Sequence, residues 1–312
     1  MVSVKRRCAV DDRLVRVDYC RRTEHKMTTE ELRITVAPGV ELRALASGLD
    51  QTGTPFVLVH GLASNARMWD GVATELAAAG HPVVWIDQRG HGQSGKPDDG
   101  YDFTTIVNDL VVLIGELGFR RPVIVGQSWG GNVVLELAAT HPDIPGAVVA
   151  VDGGFIELAS RFDDWDACKA MLTPPHLVGT PATSMERWMR DGNADWPETG
   201  IVGAMANFEI RSDGTIAPWL TLDRHLAILE ALYGHQPSTR YAHITVPTLL
   251  VPADSGDVAW TTDKRVAVDT AIGLLPNGRA HWFAPAHHDI HAQHPVRLAE
   301  VLVEFAEEAV PG

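Results

Sequence analysis

Hydrophobic and polar positions along the chain alternate in blocks that predict strands followed by helices. Short apolar runs rich in valine and isoleucine are typical of buried parallel strands. Such runs lie at 56–59, 82–87, 122–125, 146–151 and 247–251, and a further candidate strand lies at 279–283. Longer amphipathic segments predict helices. They lie at 67–79, 103–117, 132–139 and 295–310. Two extended segments, 31–36 and 41–47, predict an opening hairpin.

This alternation predicts an α/β fold, in which helices cover both faces of a mostly parallel sheet. The pattern breaks down between residues 155 and 245, which are rich in proline and glycine. The stretch also contains four of the tryptophans, Trp165, Trp188, Trp196 and Trp219. We interpret it as an inserted, mostly helical cap. The core then consists of residues 27–154 and 246–312, with the cap at 155–245.

Ser128 lies in Gly126-Gln127-Ser128-Trp129-Gly130-Gly131, directly between a predicted strand and a predicted helix. The glycines permit a sharp strand-to-helix turn, which exposes the hydroxyl above a helix N-terminus. A serine is a weak nucleophile at its ordinary pKa, so it needs a nearby base. The alternative is a glycine-rich turn that happens to contain a serine. The strand–turn–helix context favours a nucleophile.

Two other segments supply groups that such a nucleophile requires. His60-Gly61-Leu62 follows the predicted strand at 56–59. The backbone N–H groups of Leu62 and Trp129 are the predicted oxyanion hole. His288 follows the last predicted strand and precedes the final helix.

Together these blocks, in the order Ser…His, resemble the α/β-hydrolase family from about residue 42 to residue 310. The resemblance implies a doubly wound, mostly parallel sheet with an inserted helical cap. It also implies that His288 is the base. For the acid, more than one position is possible. Relatives carry an aspartate after the seventh strand, where Asp254 and Asp257 stand here, or at the end of the sixth, where Asp152 stands. Asp257 is slightly preferred, although the expected position falls on Gly256.

The resemblance implies a serine hydrolase that cleaves an ester or lactone through an acyl-enzyme on Ser128, without a cofactor or a metal. Aromatic residues indicate a small, largely apolar substrate. The expected pocket residues are His60, Gly61, Phe155 and Trp282. Serine at position 128 argues against haloalkane dehalogenases and epoxide hydrolases, which have aspartate there. Carbon–carbon bond hydrolases and cofactor-free haloperoxidases are competing candidates. A non-hydrolytic receptor or lyase that retains the triad is a candidate of another class.

Composition and net charge limit the classes of binding partner that are expected. The 312 residues are 45% hydrophobic and carry a net charge of −14, which argues against nucleic acid or an anionic membrane as a partner. No apolar run is long enough for a transmembrane helix. A small-molecule substrate is the expected partner, and the oligomeric state stays open.

Residues 1–26 lack the apolar centre of a signal peptide and are expected to be a disordered extension. The three cysteines, Cys8, Cys20 and Cys168, form neither a metal-binding spacing nor a disulfide framework. A cytoplasmic location is therefore expected.

Overall fold

The computed structural model describes residues 29–310, so the predicted N-terminal extension lies outside the described residues. Within this range the chain forms an eight-stranded sheet in the order β1-β2-β4-β3-β5-β6-β9-β10, and a separate hairpin of β7 and β8. The strands are β1 Glu30–Ala37, β2 Val40–Ser47, β3 Phe56–Val59, β4 Val83–Ile86, β5 Val123–Gln127, β6 Ala147–Val151, β7 Phe208–Ile210, β8 Ile216–Pro218, β9 Thr248–Val251 and β10 Gly278–Ala280.

The sheet is parallel from β4 to β10, and only β2 runs antiparallel to its neighbours β1 and β4. Successive strand side chains point to opposite faces, and here both faces are apolar. Val57 and Ile124 face one core cluster, whereas Phe56 and Val123 face the other. The uninterrupted apolar runs in the sequence therefore correspond to strands buried on both sides.

Helices cover both faces of the sheet, as the alternation predicts. The helices are α1 Asp70–Ala78, α2 Phe103–Leu117, α3 Trp129–Thr140, α4 Trp165–Leu172, α5 Ala182–Gly192, α6 Glu198–Met205, α7 Leu222–Gly234, α8 Val258–Leu274, α9 Ile290–Gln293 and α10 Pro295–Ala309. The apolar sides of α2 and α3 pack into one cluster, and those of α1 and α10 into the other. No helix in the described range is long and apolar enough to cross a membrane.

Local signals set the helix ends. Asp102 caps α2 by accepting a hydrogen bond from the Thr105 N–H at 3.0 Å, and Gly118 ends the helix in the left-handed conformation at φ 65°. The helix predicted at 67–79 begins instead as a 3₁₀ turn, Ala66–Trp69, capped by the Asn65 side chain. The pattern missed α8, whose exposed and buried positions show little amphipathic contrast in sequence.

Between β6 and β9 the chain forms α4 to α7 and the β7–β8 hairpin. This segment is attached to the core by polar contacts. Asn65 Nδ2 donates to the Gly203 carbonyl at 2.9 Å and to Asn207 Oδ1 at 2.7 Å. Arg224 donates to the carbonyls of Lys96 and Pro97 at 3.0 and 3.1 Å. The boundaries of a cap at 155–245 and its covering role remain predictions.

Candidate active site

Ser128 stands on a strained turn between β5 and α3. Its backbone has φ 54° and ψ −124°, a conformation that costs a non-glycine residue of order 1–3 kcal/mol. The Ser128 N–H donates to the Val151 carbonyl at 2.9 Å, which fixes the turn to the end of β6. A Cβ atom at Gly126 would lie 2.1 Å from the Gly130 carbonyl oxygen. The motif glycine is therefore required by the close approach of strand and helix.

His288 reaches this point from the other end of the chain. Its Nδ1 is hydrogen-bonded to Asp152 Oδ2 at 2.7 Å, and Asp152 directly follows β6. The other carboxylate oxygen, Oδ1, accepts from the Ala253 N–H at 2.9 Å and from Lys264 Nζ at 2.7 Å. Both oxygens of the Asp152 carboxylate are thus hydrogen-bonded, and the carboxylate orients the imidazole ring of His288 through its Nδ1.

The slight sequence preference for Asp257 is corrected by this geometry. Asp257 lies exposed at the start of α8, where its carbonyl accepts from the Thr261 N–H at 2.9 Å. Asp254, the third candidate, accepts from the Gly256 N–H and the Thr261 hydroxyl and pairs with Arg265. The Asp254 carboxylate is thus engaged with the start of α8, and the hydrogen bond to His288 comes from Asp152.

The charges of this cluster support one another. The His288 side chain is half-exposed, and its partial desolvation disfavours the imidazolium, but the hydrogen bond and charge of Asp152, with the charge of Asp289, outweigh this and raise the pKa of His288. Burial likewise disfavours ionisation of Asp152, yet the hydrogen bonds and charges of His288 and Lys264 lower the pKa of its carboxyl. Asp152 is therefore an ionised acceptor that orients the ring and favours its charged form.

Gln127 connects the serine turn with the histidine loop. Its Nε2 donates to the His288 carbonyl at 3.3 Å and to Asp289 Oδ1 at 3.4 Å. Among residues 29–310, neither Ser128 Oγ nor His288 Nε2 is hydrogen-bonded. Neither atom is therefore engaged by another group of the described chain, and the two are not hydrogen-bonded to each other. Catalytic hydrogen bonds often tighten only when the substrate is bound.

The loop after β3 packs directly against the serine. A Cβ atom at Gly61 would lie 2.9 Å from the Ser128 Cβ and 2.5 Å from Gln127 Oε1. In the described part of the chain, the N–H groups of Leu62 and Trp129 have no acceptor. Two unoccupied donors beside the hydroxyl are what an oxyanion hole requires, and that assignment stays a prediction.

The expected pocket residues lie in different surroundings. His60 is wholly buried, its Nδ1 is bonded to the Gly61 carbonyl at 2.7 Å, and its Nε2 accepts from the Gln88 N–H at 3.0 Å. His60 is therefore a structural brace, which corrects its expected place in the pocket. Phe155 lines a cavity of about 420 Å³ beside Tyr241. Trp282 lies 4.3 Å from the Arg265 guanidinium, and its role as a pocket wall stays a prediction.

Sequence reasoning missed Lys264 and Gln127. Lys264 lies on α8, is almost fully buried, and also donates to the Ala253 carbonyl at 2.8 Å. A single lysine on a helix carries no sequence signal for this placement. Within residues 29–310, no group of three or more histidine, cysteine or acidic side chains is arranged to hold a metal ion.

Comparisons with known proteins agree with the fold. A family model for the alpha/beta hydrolase fold matches residues 54–199. The 2-(acetamidomethylene)succinate hydrolase of Mesorhizobium japonicum is 33% identical over 239 residues, 74% of this chain and 82% of that protein. A putative non-heme haloperoxidase of Mycobacterium phage D29 is 35% identical over 101 residues, 32% of this chain, and the match spans only 36% of the phage protein.

A solved structure with a related name shares the architecture. The crystal structure of E-2-(acetamidomethylene)succinate hydrolase superposes with a TM-score of 0.70 at 20% identity, covering 90% of this chain and 100% of that one. At that identity the likeness shows the fold alone. Combined with the relative that is 33% identical over most of its length, it leads to one conclusion: the chain belongs to the α/β-hydrolase family.

Proposed function

We propose that the protein is a serine hydrolase that cleaves an ester or lactone of a small, largely apolar substrate. The observation that carries the proposal is the 2.7 Å hydrogen bond between His288 and Asp152, beside a serine held on a strained turn. A nucleophile, a base and a group that orients the base are the parts that acyl transfer requires.

In the first half of the reaction, His288 Nε2 takes the Ser128 proton while Oγ attacks the substrate carbonyl carbon. The tetrahedral oxyanion accepts hydrogen bonds from the Leu62 and Trp129 N–H groups, each worth about 10²–10³ in rate in comparable sites. The carbon–oxygen bond to the leaving group then breaks. The leaving alkoxide takes the proton from Nε2, and an acyl group remains on Ser128.

In the second half, water gives a proton to Nε2 and attacks the acyl carbon. The tetrahedral intermediate collapses with release of Ser128 Oγ, which recovers its proton from His288. The products are the free acid and the restored enzyme, so no external oxidant or cofactor enters the balance. Asp152 stays ionised throughout and stabilises the imidazolium of both halves.

Amide hydrolysis is the second candidate, because the relative aligned over 82% of its length is named for a substrate with an acetamido group. The same residues serve, but the leaving nitrogen is a poorer leaving group than an alkoxide. Proton donation from His288 to that nitrogen then becomes necessary for bond cleavage. A pKa raised above the ordinary value keeps the protonated form of His288 populated to higher pH.

The test is labelling with a fluorophosphonate, read by intact mass and peptide mapping. We expect one label per chain, on Ser128, and loss of labelling in Ser128→Ala and His288→Ala. A panel of esters, lactones and N-acyl compounds then decides between ester and amide hydrolysis by kcat/KM.

Four outcomes would overturn the proposal. Folded wild-type protein that resists the probe lacks an activated serine. Labelling at Ser128 with no turnover of any acyl substrate favours a receptor or lyase that retains the triad. Turnover confined to a carbon–carbon substrate favours a carbon–carbon bond hydrolase, and halogenation dependent on peroxide favours a haloperoxidase.

A further inference from the structure

A cavity of about 430 Å³ lies between the loop after β3 and the inserted segment. Ala63 and Ser64 form one wall, directly after the predicted oxyanion donor Leu62. The β7–β8 hairpin and the start of α7 form the opposite wall, with Phe208, Trp219 and His225 among the lining residues. Because Ala63 directly follows Leu62, the cavity adjoins the predicted oxyanion hole.

Most of the wall is apolar, but two buried polar atoms have no partner. In the described chain, Ser64 Oγ and His225 Nε2 are both inaccessible to solvent and make no hydrogen bond. His225 is itself only 7% exposed. An unsatisfied buried polar group costs about 1–3 kcal/mol. Both residues line the cavity, so a polar ligand atom that meets either group after a small side-chain rotation recovers that energy.

The charge of the lining is one-sided. Arg211 lines the cavity, and no aspartate or glutamate does. Arg211 is exposed, and within residues 29–310 its guanidinium makes no direct hydrogen bond or ion pair, although its charge contributes to the lowered pKa of Asp213. The acid nearest in sequence, Asp213, uses Oδ1 to accept from the N–H and hydroxyl of Thr215 at 2.9 and 2.7 Å.

A second cation adds to the positive potential. Lys96 Nζ lies 5.2 Å from the centre of the Trp219 ring, and Trp219 is part of the cavity wall. Lys96 donates to the carbonyls of Gly92 and Ser94 at 2.7 and 2.9 Å and to no carboxylate, although the charge of Asp87 also acts on it. With Arg211 in its wall, Lys96 beside it and no acidic residue in its lining, the cavity favours anions over cations.

We propose that this cavity binds an ionised carboxylate on the apolar body of the substrate. The inference rests on the proposed function and specifies its substrate class: an ester or amide that carries a second, free carboxylate. Arg211 supplies charge and a forked set of donors that matches a carboxylate. Ser64 can donate to the same group, and His225 binds a further polar atom according to its tautomer.

The experiment compares two p-nitrophenyl esters of equal chain length, the neutral hexanoate and the anionic adipate monoester. We expect wild-type kcat/KM to favour the adipate. Arg211→Met should lower the ratio of adipate to hexanoate by about 10- to 100-fold, the worth of a hydrogen bond to a charged group. Added salt should lower the wild-type ratio as well.

Arg187→Met is the matched control, because Arg187 is exposed on α5 and is not part of this cavity. It should leave the ratio unchanged. A wild-type preference for hexanoate, or an equal response of the ratio to both substitutions, overturns the proposal.

Direct binding separates this failure from a failure of the proposed chemistry. If neither ester is hydrolysed and Ser128 is not labelled, the hydrolase proposal fails. Calorimetry with Ser128→Ala then still tests the cavity: the anionic adipate monoester should bind more tightly than the neutral hexanoate ester, and Arg211→Met in that background should remove the difference. Equal binding of the two esters overturns the anion site whatever the chemistry.

Discussion

Asparagine at position 152 tests the assignment of the acid most directly. The structure fixes which way the amide must face. The Oδ1 position accepts from the Ala253 N–H at 2.9 Å and from Lys264 Nζ at 2.7 Å. Two donors there require the amide oxygen, so the amide NH₂ faces His288. The ring nitrogen Nδ1 must then become the acceptor.

The consequence is a change of tautomer. With Nδ1 unprotonated, the neutral ring carries its proton on Nε2, the atom that must accept the proton of Ser128. The loss expected for a wrong tautomer in a serine–histidine–aspartate site is about 10⁴ in turnover, which corresponds to roughly 5 kcal/mol of transition-state stabilisation. Substrate binding does not use the carboxylate, so the loss should fall on kcat.

The substitution also leaves the buried Lys264 without its counter-charge, and breaking a buried pair in this way costs about 3–5 kcal/mol of stability. Inactivity could then reflect unfolding. Adding Lys264→Met to Asp152→Asn removes the uncompensated ammonium. We expect the double variant to regain stability in thermal unfolding and to stay inactive.

The assay is kcat on the best ester of the panel, with the rate of fluorophosphonate labelling as a second readout. Asp257→Asn is the control, and as an exposed substitution it should change the activation free energy by no more than about 0.5 kcal/mol. Reduced turnover in Asp257→Asn together with near-normal turnover in Asp152→Asn would refute the assignment.

Three further predictions follow from the same geometry. The wild-type log kcat/KM should rise with pH through a His288 pKa raised above its ordinary value of 6.5, because only the neutral ring is a base; a rise centred below 6.5 contradicts this. Lys264→Met removes a cation that lowers the pKa of His288, so the rise of kcat/KM with pH should move to higher pH. If the pH dependence of kcat/KM does not move, Lys264 has a purely structural role. Gly153→Ala places a Cβ atom 2.1 Å from the Ser128 carbonyl oxygen, so we expect it to lower the free energy of unfolding by about 1–3 kcal/mol. Gly115→Ala is the control, because Gly115 is exposed on a helix and has no atom within 4 Å of the added Cβ. It should raise the free energy of unfolding by up to about 1 kcal/mol.

The turn at Ser128 could be predicted from the sequence because local chemistry sets its geometry. The elbow needs only a buried strand, glycines where backbones touch, and a helix start, and all three lie within one continuous segment. The choice of acid is not local. Asp152 and Asp257 follow strands that are neighbours in the sheet, β6 and β9, so both satisfy the same sequence rule. The N–H of Ala253, two residues beyond β9, points back to Asp152 and decides between them.

His60 was misassigned for a similar reason. A histidine after a strand near the predicted site has the sequence signature of a pocket residue. The environment of His60 is set by the loop after β4. The Gln88 N–H donates to His60 Nε2, and the Gln88 side chain donates to the His60 carbonyl at 2.7 Å. That partner lies 28 residues away in sequence. The periodicity of hydrophobic residues carries no information about such a pairing.

The end of β6 explains how distant segments are brought into one site. The Val151 carbonyl holds the backbone of Ser128, and the next residue, Asp152, holds the ring of His288. One strand terminus therefore positions both Ser128 and His288. Ser128 and Asp152 both have positive φ, at 54° and 41°, and each such conformation costs about 1–3 kcal/mol. That strain persists because β6 is a central strand, buried on both faces and paired on both edges, so relaxing either residue requires displacing the core of the sheet.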